Sequence, residues 1–282
     1  RSSTFTCLGD RLEHRAVERV ALVGPREPHV CDASVVVDAH ARRNLLFGRH
    51  HRRSFRCGSP RPDRIPVMKL NLTADEVLKT TRSVRKRLDF DKPVERKVVE
   101  ECLEIALQAP TGSNSQGWHF IIVEDAAKKK ALADIYMENF KLYASMPRPQ
   151  RESSDPRAQR MDKVVDSAVY LAQNFHRSPL LMIPAIEGRL DNLPSFATAS
   201  IWGSLLPAVW SFMLALRERG MGSAWTTIHL MNDGEKKAAE LLGIPYDKVS
   251  QGGLFPVAYT KGTDFKPASR LPLERVMHWD KW

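Results

Sequence analysis

From Asn192 to Leu216 the chain runs 25 residues without a charged side chain, ending in IWGSLLPAVWSFMLAL. A run of this kind has to leave water, because its apolar surface gains most by burial. A bilayer core, spanned by roughly 20 residues of helix, is one place for it. The other is the interior of a folded protein, where a helix that is apolar nearly all round becomes the central element of a core or of a dimer interface. Asn192, Pro194, Ser195, Thr198, Ser200, Ser204 and Pro207 interrupt the run and favour the second reading. The other elements must therefore be layered around this helix, and no membrane is expected as a partner.

Those elements follow from caps and periodicity. Thr73-Ala74-Asp75-Glu76 is a capping box that opens a helix. Pro93 suits the first turn of the next one, VERKVVEECLEIALQA, whose Val98, Val99, Cys102, Ile105 and Ala106 keep helical spacing. WHFIIV (118–123) reads as a buried strand, and Asp125 caps the helix AAKKKALADIYMENF. Residues 144–162 are polar and proline-containing and read as a loop, a candidate lid. A helix from Val164 to His176, a strand over 178–186 and the long uncharged helix follow, the last closed by Gly220. A strand over 222–228, a helix opened by Asn232 and Glu235, and a strand from Phe255 to Thr260 precede a basic tail. Helices and strands in this order layer as an α+β or mixed α/β fold around one sheet, with no linker inside 68–282.

The net charge of +10 is unevenly spread. Residues 1–67 hold 13 arginines, no lysine and 7 acids, so most of the excess sits in the first quarter of the chain. That quarter lacks sustained periodicity and is expected to be a disordered basic extension, of the kind a misassigned start would add; an arm for nucleic acid is the competing reading. Arginine-rich composition without interleaved aromatic residues speaks against the arm, and no nucleic-acid partner is expected. Cys7, Cys31 and Cys57 fall in the same quarter and Cys102 stands alone beyond it, with no CxxC pair. This usage, together with a start that lacks an apolar leader, predicts a reduced, cytoplasmic protein.

No GxGxxG follows a strand, and no P-loop, HExxH or GxSxG is present. His119, His176, His229 and His278 have no partners at metal-ligand spacing, so no metal is expected, and His229 reads as structural. With no nucleophile, metal or paired carboxylates, hard chemistry has to come from a borrowed cofactor.

Four segments offer places for one. Thr81-Arg82-Ser83-Val84-Arg85-Lys86-Arg87 concentrates four cations and a hydroxyl; Arg82 and Arg85 share a face if the helix continues, and forked guanidinium groups match phosphate oxygens. The bland reading is a solvated helix end. The loop Pro110-Thr111-Gly112-Ser113-Asn114-Ser115-Gln116-Gly117 offers amides and side-chain donors to a polar planar ligand, or is an ordinary turn. Gly220-Met221-Gly222-Ser223-Ala224-Trp225 lets a backbone approach a flat ring, or is a tight turn. Lys266 and Arg270 add cations near the end.

In this order and spacing, TRSVRKR, APTGSNSQGWHFIIV, ALRERGMGSAWTT and SRLPLERVMHWDKW resemble the nitroreductase family of FMN enzymes, over Met68 to Trp282. The resemblance implies an α+β three-layer sandwich, a mostly antiparallel central sheet flanked by helices, in an intertwined homodimer. It implies that Arg82, Ser83 and Arg85 hold the FMN phosphate and ribityl end, with Arg270 joining them. It further implies that Pro110, Thr111, Gly112 and Asn114 come from the other subunit, that Gln116 supports that loop, and that Gly222 and Ser223 lie by the flavin ring. Thr81, Gly117 and Ala268 depart from the residues usual in relatives, and Lys266 is a candidate replacement for a missing basic residue.

The activity so implied is a ping-pong transfer of electrons from NADPH or NADH through FMN to a small-molecule acceptor, a nitroaromatic or a quinone, with no side chain acting as a catalyst. Reductive dehalogenation, flavin cleavage, and FMN binding without catalysis are the alternatives.

Overall fold

The stretch LLMIPAIE forms β3 (Leu180–Glu187), buried at every position but its last. Side chains alternate across a strand, so such a run needs cover on both faces, and it has it. Leu181 and Ile183 join one core with Tyr136, Leu171 and Phe175. Leu180, Met182 and Ile186 join a second core with Val98, Val209 and Phe212.

The computed structural model describes residues 68–147, 150–152, 154–155 and 157–282. The expectation for residues 1–67 lies outside them. The first core is closed by α3 (Ala126–Ser145), α4 (Met161–Asn174) and α6 (Gly234–Leu242); the second by α2 (Arg96–Ala106) and α5 (Ser195–Glu218). Between them lies a six-stranded, wholly antiparallel sheet: β1 (Leu88–Asp89), β6 (Phe255–Thr260), β3 and β2 (Trp118–Val123) in that order, with β4 (Met221–Ser223) on β6 and β5 (Val249–Gln251) on β3. This is the α+β three-layer sandwich the resemblance implies.

Caps behave as the sequence predicts. Thr73 and Glu76 form the capping box of α1 (Ala74–Thr80), and the Asp125 carboxylate accepts the Lys128 N–H at 2.8 Å to start α3. The uncharged stretch becomes α5, with Pro207 inside it. By length and composition α5 is able to cross a membrane, but Leu205, Val209, Phe212 and Leu216 are fully buried against the sheet and α2. It keeps apolar side chains outside: Phe196 is 79% exposed, and Leu206 and Trp210 are more than a third exposed.

Several expectations are corrected. The second helix begins at Arg96, three residues after Pro93, and Ile105 points outward at 45% exposure, leaving Val98, Val99, Cys102 and Ala106 as its buried stripe. The helix expected from Val164 starts at Met161 and gives way to a 3-10 turn at Phe175. The helix expected from Asn232 starts at Gly234, after a left-handed Asp233. The strand expected over 222–228 ends at Ser223; beyond it Thr226 makes an isolated bridge to Leu254, and Ile228–Leu230 is a 3-10 turn. Strands β1 and β5, of two and three residues, are too short for alternation to reveal.

Candidate functional site

Helix α1 stops at Thr80. Thr81 turns extended, its hydroxyl and N–H both donating to the Val77 carbonyl. The helical continuation that would align Arg82 and Arg85 is therefore absent, and an extended segment takes its place. Ser83 forms a parallel bridge with Ser223, and the Val84 N–H donates to the Ser223 carbonyl at 2.8 Å. Val84 is buried, and Arg82, Ser83 and Arg85 all line one cavity. Strict alternation would set Arg82 on the side of Val84, so the three share the cavity without sharing one strand face.

That cavity encloses about 1040 Å³. Arg82, Ser83 and Arg85 form one wall, and Ala268, Ser269 and Arg270 of the C-terminal segment form another. Trp210 and Met213 of α5, with Trp225 after β4, supply flat apolar surface. Arg151, Arg157, Arg160 and Lys163 enter from the segment that leads into α4. Six arginines and one lysine thus line it, and among the described residues no carboxylate does. The Arg82 guanidinium donates to the Lys266 carbonyl at 3.0 Å. Burial, and after it the neighbouring Arg160, Arg270 and Arg87, make Arg82 less basic than an ordinary arginine. Cations gathered without counter-charge repel one another and desolvate poorly; an anion relieves both. The donor set fits a phosphate monoester attached to a flat ring system.

Gly222 and Ser223 do not line the cavity; they reach it through their pairing with Ser83. A Cβ on Gly222 would stand 2.9 Å from both Val84 Cγ2 and Thr260 Cγ2. The small residue thus serves a close approach of protein side chains. Ser223 Oγ is buried and has no hydrogen-bond partner among the described residues.

None of Pro110, Thr111, Gly112, Asn114 and Gln116 lines this cavity in its own chain. Their loop rests on α5, where the Gly112 N–H donates to Ser204 Oγ at 3.0 Å, and a Cβ on Gly112 would meet Ser200 Oγ at 2.5 Å. The Gln116 amide donates to Asn114 Oδ1 at 2.8 Å and the Gln116 N–H to Thr111 Oγ1 at 3.3 Å, holding a turn in which Ser113, Asn114 and Gln116 all have positive φ. Pro110, Gly112, Asn114 and Gln116 face outward.

The cations of 151–163 and the two tryptophans were missed as site residues. The density of arginine in RESSDPRAQRMDK was the available signal. Its direction was not readable, because only packing decides where a loop points. Among the described residues no cluster of His, Cys, Asp or Glu is placed to hold a metal. His229 is fully buried, its Nε2 3.1 Å from Gln251 Oε1, in keeping with a structural role.

A second cavity of about 610 Å³ adjoins the first, sharing Arg85, Arg151, Met161, Val164 and Trp225 with it. Its further walls include Tyr136, Phe140 and Tyr143.

Residues 78–259 match the sequence pattern of the Nitroreductase family, and the chain belongs to that family. A protein of Thermus thermophilus named NADH dehydrogenase is 24% identical over 212 residues, which cover 70% of this chain and 91% of that protein. The fold resembles the crystal structure of an FMN and NADPH-dependent nitroreductase from a Sphigopyxis strain, with a TM-score of 0.56 and 21% identity over 75% of this chain and all of the other. It also resembles an iodotyrosine deiodinase bound to FMN and 3-iodo-L-tyrosine, with a TM-score of 0.55 and 22% identity over 74% of this chain and 99% of the other.

Proposed function

We propose that this chain is an FMN-dependent oxidoreductase that takes electrons from NADPH or NADH and passes them to a small oxidised acceptor, working as a homodimer. The carrying observation is the cavity in which Arg82, Ser83, Arg85 and Arg270 converge with four further cations and no acid beside two tryptophans. Family membership and the FMN-binding proteins of like fold support it.

Arg82 and Arg85, with the Ser83 hydroxyl and Arg270, hold the phosphate by charge-assisted hydrogen bonds. Gly222 and Ser223 act behind them by seating the Ser83–Val84 segment on β4. Trp210, Met213 and Trp225 provide the apolar surface against which a ring lies, and they exclude water from it. Bound FMN supplies two-electron transfer between the nicotinamide and an acceptor such as a nitroaromatic or a quinone, in a ping-pong cycle. No side chain has to serve as nucleophile or general base.

The homodimer follows from what one chain leaves open. Helix α5 exposes Phe196, Leu206 and Trp210, and the same helix carries the 110–116 loop at Ser204 and the cavity at Trp210 and Met213. A two-fold axis crossing α5 buries that face against its copy. It also carries the outward-facing Pro110, Gly112 and Asn114, with the half-buried Thr111, toward the cavity of the other subunit, and Gln116 braces the loop from within.

The purified chain should be yellow. Under nitrogen, NADPH or NADH should bleach it, and a quinone or nitroaromatic should restore the colour. Protein that stays colourless with added FMN sinks the reading; flavin that neither nucleotide reduces leaves a binding protein without catalysis. Halogenated phenols in the acceptor panel separate nitro or quinone reduction from reductive dehalogenation.

A further inference from the structure

The large cavity holds more positive charge than one phosphate needs. A phosphate monoester carries about two negative charges near neutral pH. Arg82, Arg85 and Arg270 already meet them on the proposed FMN reading, on which this inference rests. Arg157 is committed elsewhere, paired with Asp155 at 2.7 Å. Arg151, Arg160 and Lys163 remain: none has a described carboxylate within ion-pair distance, although Arg151 is near enough to Asp155 to help hold that carboxyl, already bound by Arg157, in its charged form.

These three are not placed alike. Arg160 stands close enough to Arg82 to lower its basicity, and so it belongs to the phosphate end. Lys163 lies in the first turn of α4, where the helix dipole adds to its charge; Asp162 of the same turn does not line the cavity. Arg151 lies at the junction of the two cavities, facing the chamber walled by Tyr136, Phe140, Tyr143 and Trp225. A cation at the mouth of an aromatic chamber suits a ligand with an apolar body and one negative group.

We propose that Arg151 and Lys163 form a second anion subsite, apart from the cofactor phosphate, for a phosphate or carboxylate on the molecule that exchanges electrons at this site, whose aromatic body lies in the Tyr136–Phe140–Trp225 chamber. Two sources share that chemistry: the 2′-phosphate of NADPH, and an acidic group on an aromatic acceptor.

The test uses Arg151→Ala, Lys163→Ala and the double variant of the whole chain, with Arg151→Lys as the conservative control. Two matched pairs are compared, NADPH with NADH and 4-nitrobenzoate with 4-nitrobenzamide, by KM and kcat. Calorimetric binding of NADP+ against NAD+, and of the two nitro compounds, is measured in parallel. Each lost cation should weaken the anionic member of one pair about tenfold, leaving its neutral counterpart and the FMN affinity unchanged. Arg151→Lys should recover part of the loss. An effect confined to the nucleotides assigns the subsite to the 2′-phosphate; one confined to the nitro compounds assigns it to the acceptor. Unmoved ratios for both pairs overturn the subsite, as does a loss of FMN affinity with unmoved ratios, which would place these cations at the cofactor phosphate. If the wild-type chain takes up no flavin, the FMN reading fails alone, because the calorimetric pairs still decide whether Arg151 and Lys163 read an anion.

Discussion

The space that a side chain at position 222 would fill is held by Val84: a Cβ on Gly222 would lie 2.9 Å from Val84 Cγ2. This contact fixes how closely the Arg82–Arg85 segment approaches β4, and with it the depth of the cavity wall. Gly222→Ala is predicted to force the two apart at a cost of about 1–3 kcal/mol, as overpacking does elsewhere. Thermal unfolding and FMN titration should both register it, as a lowered midpoint and weaker binding. Unchanged FMN affinity in a destabilised variant would separate the packing from the site.

Arg82 is partly buried in the cavity wall, held by the Lys266 carbonyl and crowded by Arg160 and Arg270. Arg82→Ala should raise the FMN dissociation constant about tenfold to a hundredfold, the range for a hydrogen bond to a charged group. Arg82→Lys should fall between, since an ammonium keeps the charge and loses the fork. Equal binding by all three proteins would remove Arg82 from the phosphate site.

His229 is fully buried, and burial depresses its pKa to about 4, with the Gln251 hydrogen bond acting weakly in the opposite sense. The folded state therefore keeps the ring neutral where the unfolded chain, at an ordinary value near 6.5, takes up a proton. The unfolded state binds more protons between these values, so stability is complete above about pH 6.5 and declines toward pH 4 by up to about 1.4 kcal/mol per pH unit. Unfolding midpoints should drop across this window, and His229→Gln should flatten the slope. A slope that survives the substitution assigns the acid sensitivity to other groups.

The exposed face of α5 gives a prediction of assembly. Phe196→Asp with Leu206→Asp places two charges where the proposed two-fold contact is apolar, and should yield a monomer by light scattering. Because the 110–116 loop does not reach the cavity of its own chain, that monomer should also bind FMN poorly. A flavin-saturated monomer would show that one chain completes its own site.

Much of the fold was readable because its causes are local. Thr73 with Glu76, and Asp125 with Lys128, satisfy helix ends within three residues, and such signals lie wholly in the sequence. The apolar run of β3 and the uncharged α5 marked a strand and a helix that had to be buried. The short β1 and β5 and the early end of β4 were not readable, for a strand of two or three residues exists only because a neighbour pairs with it. The site divides in the same way. Arg82, Ser83, Arg85 and Arg270 were visible as residue types able to hold a phosphate.

The sequence by itself determined which segments leave water, where α1 and α3 begin, and that the chemistry of TRSVR suits an anion. These follow from side-chain polarity and from bonds spanning a few residues. Only the tertiary structure decided that TRSVR is extended, that Gly222 makes room for Val84, and that the arginines of 151–163 line the same cavity as Arg82. Those outcomes depend on contacts between residues tens to more than a hundred positions apart, such as Val84 with Ser223 and Arg82 with Lys266. A linear pattern carries no record of them, because packing selects among arrangements that local preference leaves nearly equal in energy.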